Sequence, residues 1–483
     1  MPKPDKIKSF TNLILILPGT LIILFSSIIL FSGCGREPGI ERARKLLRSG
    51  KPNKAVQILE AYVEGKNPDD STRRLYIESL LEAGRPIAAA SHYIEFFGLE
   101  ENFEKKDSIL QSRIALDIIR SMAESKTIPY ERAVLEALSS AYLVSTWGKN
   151  PKKPAAELLD ILKIMTRADD PGIRFSAACL LAKAGSDDGP GIFSELLGNS
   201  NGIPWTAISG CIDTNTFFSS RPIPGPIVEK LVRFALDHTD MLVQKSLCTS
   251  IIMNYPKMLV TFKNQFEKRG MFKTGTWRLV KSIIGSTADI SINKEALSFL
   301  RGCLQDKIRM PPAAILLFDT MASRKMLPRA LLEMGLSNPD YRIRTIALRS
   351  LGKSVCRIGS TMNSGVDLEH DPVFVIRVQA AGYCTRSPFD GHRAMLIDVA
   401  LGNDFDAAEL AVGILHELGD QRDGSIISSM LISEDDQVLL IGARTAFLVN
   451  DILIRRSLEP LLLGLDPRLR ATAAVSLFLC LHN

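Results

Sequence analysis

The sequence predicts an all-α protein, an α-α superhelix built as a helical-hairpin solenoid, and three observations carry that prediction. Leucine and isoleucine recur at spacings of three and four over stretches such as 107–124, 130–147 and 154–167, the period of one helix face. Two motifs recur along the chain, one of them at a 34-residue step, and such periods mark stacked supersecondary units. No stretch combines sustained period-two alternation with β-branched residues and hairpin turns. The 483 residues, 46% hydrophobic and 23% charged, exclude a collagen-like, wholly disordered or small disulfide-stapled chain.

The N-terminus comes first. Lys3, Lys6 and Lys8 stand against Asp5, and no charge lies between Ser9 and Gly35. Leu13 to Phe31 is mostly Leu and Ile, broken by Pro18, Gly19, Thr20, Ser26 and Ser27. As a helix this run measures ~28 Å, against the ~30 Å of a bilayer core, so length leaves both a membrane anchor and a secretory leader open. A basic start, an apolar run and the small pair Ser32-Gly33 form the secretory pattern, and here Cys34 follows at once.

This ending resembles the lipobox of bacterial lipoproteins. The resemblance implies a signal peptide over 1–33, cleavage before Cys34, and acylation of the Cys34 thiol and its new amino group. Phe31, Ser32 and Gly33 become the recognition positions, with Phe31 where that family usually has Leu. It implies a palmitate-type lipid anchor in the bacterial cell envelope. Gly35, in place of an aspartate that resembles an inner-membrane retention signal, points to the outer membrane. An uncleaved transmembrane anchor and plain secretion are the alternatives.

Removing residues 1–33 takes the formal charge from +6 to +4. With no dense basic run interleaved with aromatics, no nucleic-acid partner is expected. Arg36, Arg42, Arg44, Lys45 and Arg48 cluster just past Cys34. Anionic head groups are one reading of that cluster; interleaved Glu37 and Glu41 favour a solvated helix face.

Over 34–125 the first motif appears. Leu46-Leu47, Gly50, Pro52, Ala55, Leu59 and Tyr62 recur as Leu80-Leu81, Gly84, Pro86, Ala89, Tyr93 and Phe96. The leucines close one helix, glycine permits a left-handed turn, and proline starts the next helix where its missing N–H costs nothing. Alanine then allows close approach. The pattern resembles tetratricopeptide repeats, without the usual aromatics of their first helix.

A helical connector is expected over 126–168, and a second motif governs 169–483. Asp170-Pro171-Gly172-Ile173-Arg174 returns as Asp466-Pro467-Arg468-Leu469-Arg470, each followed by paired alanines. Asparagine or aspartate caps a helix and proline occupies its first turn. Arginine four residues on shares the face of the aspartate. A variant pair places Asn338-Pro339, Ile343-Arg344 and Ala347 against Asp371-Pro372, Ile376-Arg377 and Ala380, with the arginine six residues after the cap. These segments resemble HEAT repeats of the short bacterial type, in which aspartate and arginine tie adjacent repeats together. Val438-Leu439-Leu440 before Ala443 reads as a degenerate first helix. Loops are expected at 186–204, 213–227, 357–372 and 386–392.

Eight cysteines show no CxxC. Cys179, Cys211, Cys248, Cys303, Cys356, Cys384 and Cys480 are expected mostly as buried thiols, an exported chain leaving room for a disulfide or two. His416-Glu417 is the one His-Glu pair, read as a helix face. GxSxG, a phosphate-binding glycine loop and HExxH are absent from the sequence, so no catalytic residue, metal or cofactor is expected. Trp147, Trp205 and Trp277 are candidate aromatic contacts. The expectation is a non-catalytic protein-protein interaction scaffold that meets the membrane through its lipid and a protein or peptide through a long concave face. A HEAT-type lyase or hydroxylase and a self-associating structural protein are the alternatives.

Overall fold

The computed structural model describes residues 38–65, 68–98, 105–145, 155–184, 186–198, 225–237, 261–268, 290–305, 312–352, 371–384, 391–401, 405–417, 423–449 and 451–482, with a few single residues between. Among them every regular element is a helix. They fall into two compact units, up to Phe96 and from Phe97 onward.

The first unit holds α1 (Pro38–Arg48), α2 (Pro52–Gly65), α3 (Asp70–Glu82) and α4 (Pro86–Phe97). Its two hairpins turn in the same way. Gly50 and Gly84 have φ of 69° and 70°, the left-handed region that a Cβ disfavours by about 1–2 kcal/mol. Each glycine N–H reaches the carbonyl three residues back at 2.9 Å, and the next N–H reaches the carbonyl five back, also at 2.9 Å. Pro52 and Pro86 then open α2 and α4, and Ala55 and Ala89 are fully buried. Asp69 caps α3 by accepting from Thr72 N at 2.8 Å. Between α3 and α4, Tyr76 meets His92 edge-on and the Arg73 guanidinium lies over Phe96.

The second unit begins with α5 (Lys105–Ala123), α6 (Ile128–Ser145), α7 (Ala156–Met165), α8 (Pro171–Lys183), α9 (Gly189–Gly198) and α10 (Gly225–Asp237). Then come α11 (Lys263–Lys268), α12 (Ile290–Gln305), α13 (Pro312–Ser323), α14 (Arg329–Leu336), α15 (Tyr341–Leu351) and α16 (Phe374–Cys384). The last are α17 (Gly391–Ala400), α18 (Phe405–Glu417), α19 (Asp423–Leu431), α20 (Asp436–Thr445), α21 (Ile452–Leu458) and α22 (Pro467–His482). Helices stack in two rows. The first row pairs α5 with α7, α12 with α14 and α19 with α21; the second runs α13, α15, α16, α18, α20, α22. One apolar cluster, from Phe175 on α8 to Ala380 on α16, joins the beginning of this stack to its middle.

The stack then returns on itself. α22 packs against α5 and α6, α20 also touches α6, and α6 packs on α8. Eleven of the sixteen residues of α22 are buried. A terminal helix of an open array keeps a polar outer face, whereas Arg470 to Cys480 is covered nearly all round, as a helix apolar on every side must be.

Two expectations are corrected. The loop over 186–204 contains α9, because Pro190 sits in the first turn of a helix rather than breaking one. The cap of α15 is Asp340, which accepts from Arg342 N at 3.1 Å, while Asn338 accepts from Asp340 N at 2.9 Å. Arg344 therefore stands four residues after its cap, like Arg174 and Arg470 after theirs.

Candidate interaction surface

The anchor residues Cys34, Phe31, Ser32 and Gly33 lie outside the described residues, as do Trp147, Trp205 and Trp277. The three motif arginines are described, and each folds back on the turn before its helix. Arg174 Nη1 donates to Ala168 O at 2.7 Å, Arg344 Nη1 to Asn338 O at 2.9 Å, and Arg470 Nε to Gly464 O at 3.1 Å. All three carbonyls lie six residues upstream. These last carbonyls of a first-row turn would otherwise be orphaned, so the arginine closes the turn and docks its helix. Arg344 also grips Asp371 with two bonds, Nε to Oδ2 at 2.7 Å and Nη2 to Oδ1 at 2.9 Å. Both side chains are under a tenth exposed, so the pair ties α15 to the start of α16. Asp371 is also satisfied by Val373 N at 2.8 Å, and such a fully bonded pair survives burial where a lone charge would not.

Cys179, Cys248 and Cys480 are buried free thiols and Cys303 is a half-buried one. Burial pushes the Cys480 thiol up to about 12, which makes it a poor nucleophile. Cys384 departs from the buried-thiol expectation: it is disulfide-bonded. Among the described residues no group of three or more His, Cys, Asp or Glu stands close enough to hold a metal, and no helix is long and apolar enough to cross a membrane.

Where α22 meets α5, Gln111 Nε2 donates to Glu459 Oε1, both side chains buried. Burial raises the Glu459 carboxyl to about 7, against the opposing pull of Arg456, the Gln111 bond and Arg455. At the rim of the same junction Arg468 Nε reaches Glu136 Oε2 at 3.1 Å.

Exposed apolar side chains mark a second feature. Leu465 is 92% exposed, Ile432 79%, Tyr341 48%, Ile128 47% and Leu401 42%. Leu465, Ile432 and Leu401 sit in the turns before α22, α20 and α18, while Tyr341 and Ile128 are the first residues of α15 and α6. Hairpins stacked in parallel bring such turns onto one edge. Because α18, α20, α22 and α6 are successive neighbours, Leu401, Ile432, Leu465 and Ile128 fall on four adjacent pairs. Isolated exposed apolar residues are ordinary, but several at the starts of neighbouring helices are a candidate interaction feature. Exposed Glu434, Asp435 and Asp436 follow Ile432, and exposed Asp466 and Arg468 follow Leu465.

The sequence carried a misleading signal here. A leucine just before an aspartate cap, as in Leu465-Asp466-Pro467, ordinarily staples onto the helix it precedes; Leu465 instead faces solvent.

Comparison with protein-family models, curated proteins and solved structures finds no match.

Proposed function

We propose that the chain is a lipid-anchored bacterial envelope protein, placed at the outer membrane, that acts as a non-catalytic scaffold. Its partner is a protein segment with apolar side chains flanked by cations. The observation that carries this reading is the exposure of Leu401, Ile432, Leu465 and Ile128 at the starts of four neighbouring helices, with charged residues beside Ile432 and Leu465, apolar groups with polar neighbours as interfaces have. In this reading Cys34 carries the acyl chains and Phe31, Ser32 and Gly33 are read by the peptidase. The hairpins of the first unit are TPR-like and the paired helices of the second HEAT-like. The Cys384 disulfide supports export, since such bonds persist in oxidising compartments. The motif arginines are occupied by turns and caps, which supports a binding role over a chemical one.

The test places a photo-crosslinking residue at Ile432, and separately at Leu465, in the full chain in cells. We expect a discrete adduct with another protein whose yield drops at least about ten-fold when Ile128→Asp and Leu401→Asp are added, about 1.4 kcal/mol in binding. Adducts of only two copies of the chain would replace the scaffold with a self-associating protein, and no adduct at either position would overturn the surface. Acyl labelling in parallel should mark the parent and not Cys34→Ala; an unlabelled parent overturns the anchor.

A further inference from the structure

We infer that α1 lies along an anionic lipid surface through an exposed stripe of cations, adding charge to the acyl chain as a second hold on the bilayer. Arg42, Lys45 and Arg48 are all exposed, and at three-residue spacing they share one side of α1. Exposed Lys51 and Lys54 follow in the turn and at the start of α2. Between Pro38 and Gly65 six cations stand against three carboxylates.

The three carboxylates of α1 and α2 are each accounted for away from the stripe. Glu41 turns inward, its Oε2 shielded from solvent, and is engaged within the fold. Glu60 and Glu64 stand near Tyr76 of α3, whose hydroxyl pKa they help to raise after the larger effect of burial. Arg44, the cation off the stripe, reaches Ser71 Oγ at 3.4 Å. Among the described residues Arg42, Lys45, Arg48, Lys51 and Lys54 take part in no ion pair.

The length of chain before α1 selects the occupant. Cys34 precedes Pro38 by four residues, at most about 14 Å of extended chain. An acylated Cys34 at head-group depth thus holds the start of α1 within about two Debye lengths of the lipid, each ~8 Å at physiological salt. α1 itself is only ~16 Å long. A positive stripe held so close to negative head groups binds them, at roughly five-fold per cation, or about 100-fold for the three on α1. The inference rests on the reading of Cys34 as the anchor.

The test uses the full chain reconstituted in vesicles, with a keto amino acid replacing exposed Ser49 and carrying a dye. Spin-labelled head groups quench the dye when α1 lies on the bilayer. We expect strong quenching with phosphatidylcholine plus phosphatidylglycerol, weak quenching with phosphatidylcholine alone, and loss of the difference at high salt. In R42Q/K45Q/R48Q the ratio of docked to undocked dye should fall about 100-fold, with unchanged circular dichroism, and R42E/K45E/R48E should abolish docking. Equal quenching in both lipids, or a Gln variant that still docks, overturns the inference. Mass spectrometry of the same sample separates the two readings. Charge-dependent quenching without acyl mass on Cys34 supports the stripe and removes the anchor; charge-independent quenching with acyl mass removes the stripe and keeps the anchor.

Discussion

Glu459 is 4% exposed, and its partner Gln111 is 1% exposed. Gln111 donates through Nε2, yet its Oε1 has no partner among the described residues. A protonated Glu459 repairs this, because its O–H can donate to that oxygen while its other oxygen accepts the amide. Acid and amide then form a reciprocal pair, consistent with a pKa raised by burial to about 7 from 4.5. The folded state therefore binds a proton that the unfolded state releases. The resulting stabilisation is complete below about pH 4.5, declines as pH rises, and is gone above about pH 7. Its size is on the order of 3 kcal/mol. Glu459→Gln should remove this dependence, so urea midpoints of parent and variant should differ between pH 5 and pH 8, with the variant gaining at pH 8. Identical pH profiles would place the carboxylate in a charged, satisfied state. Nothing in the sequence around Glu459 announces this, since its partner lies 348 residues away.

Elements were legible wherever a local chemical rule decides them. Gly50 and Gly84 mark two turns because only a residue without Cβ enters the left-handed region cheaply. Asp170 and Asp466 mark helix starts because their carboxylates meet free N–H groups within three residues. The rule fails where one residue serves two purposes. Gly189-Pro190-Gly191 reads as a breaker, yet Pro190 starts α9 and Gly189 is small for a different reason. A Cβ there would lie 2.7 Å from Ala182 N and 2.8 Å from Ala182 Cα, which are backbone atoms of α8 that cannot swing away. Gly189→Ala should therefore cost about 1–3 kcal/mol by forcing α8 and α9 apart, read as a lower denaturation midpoint. Gly191→Ala, with no atom within 4 Å of its Cβ position, is the control and should change the midpoint little. Equal losses would trace the effect to backbone freedom instead of contact. The exposed row escaped the same kind of reading because a turn leucine looks alike in sequence whether it staples inward or faces water.

At the scale of the whole second unit, periodicity foretold stacked hairpins but not where the stack ends. Repeats inform on nearest neighbours, and the contact of α22 with α5 and α6 joins segments more than 320 residues apart. One trace of it is written in α22 itself. Ala471 to Phe478 offers no charged side for water and only Thr472 and Ser476 as polar groups, both of them buried. The Asp466-Pro467 start resembles that of the interior helix α8, which is likewise buried on most sides. A stack whose last helix rests on its first pair should respond to truncation at both of its sequence ends. Ending the chain after Gly464 removes α22 and uncovers α20, α6 and α5 together. Hydrogen exchange should then show α5 and α6 losing protection along with α20, because burial on α22 contributes to each and unprotected helix pairs are marginal. In a one-dimensional array, removal of the last repeat reaches only its neighbour. Intact protection of α5 and α6 in the truncated chain would accordingly show that the packing of α22 against them adds nothing to their stability.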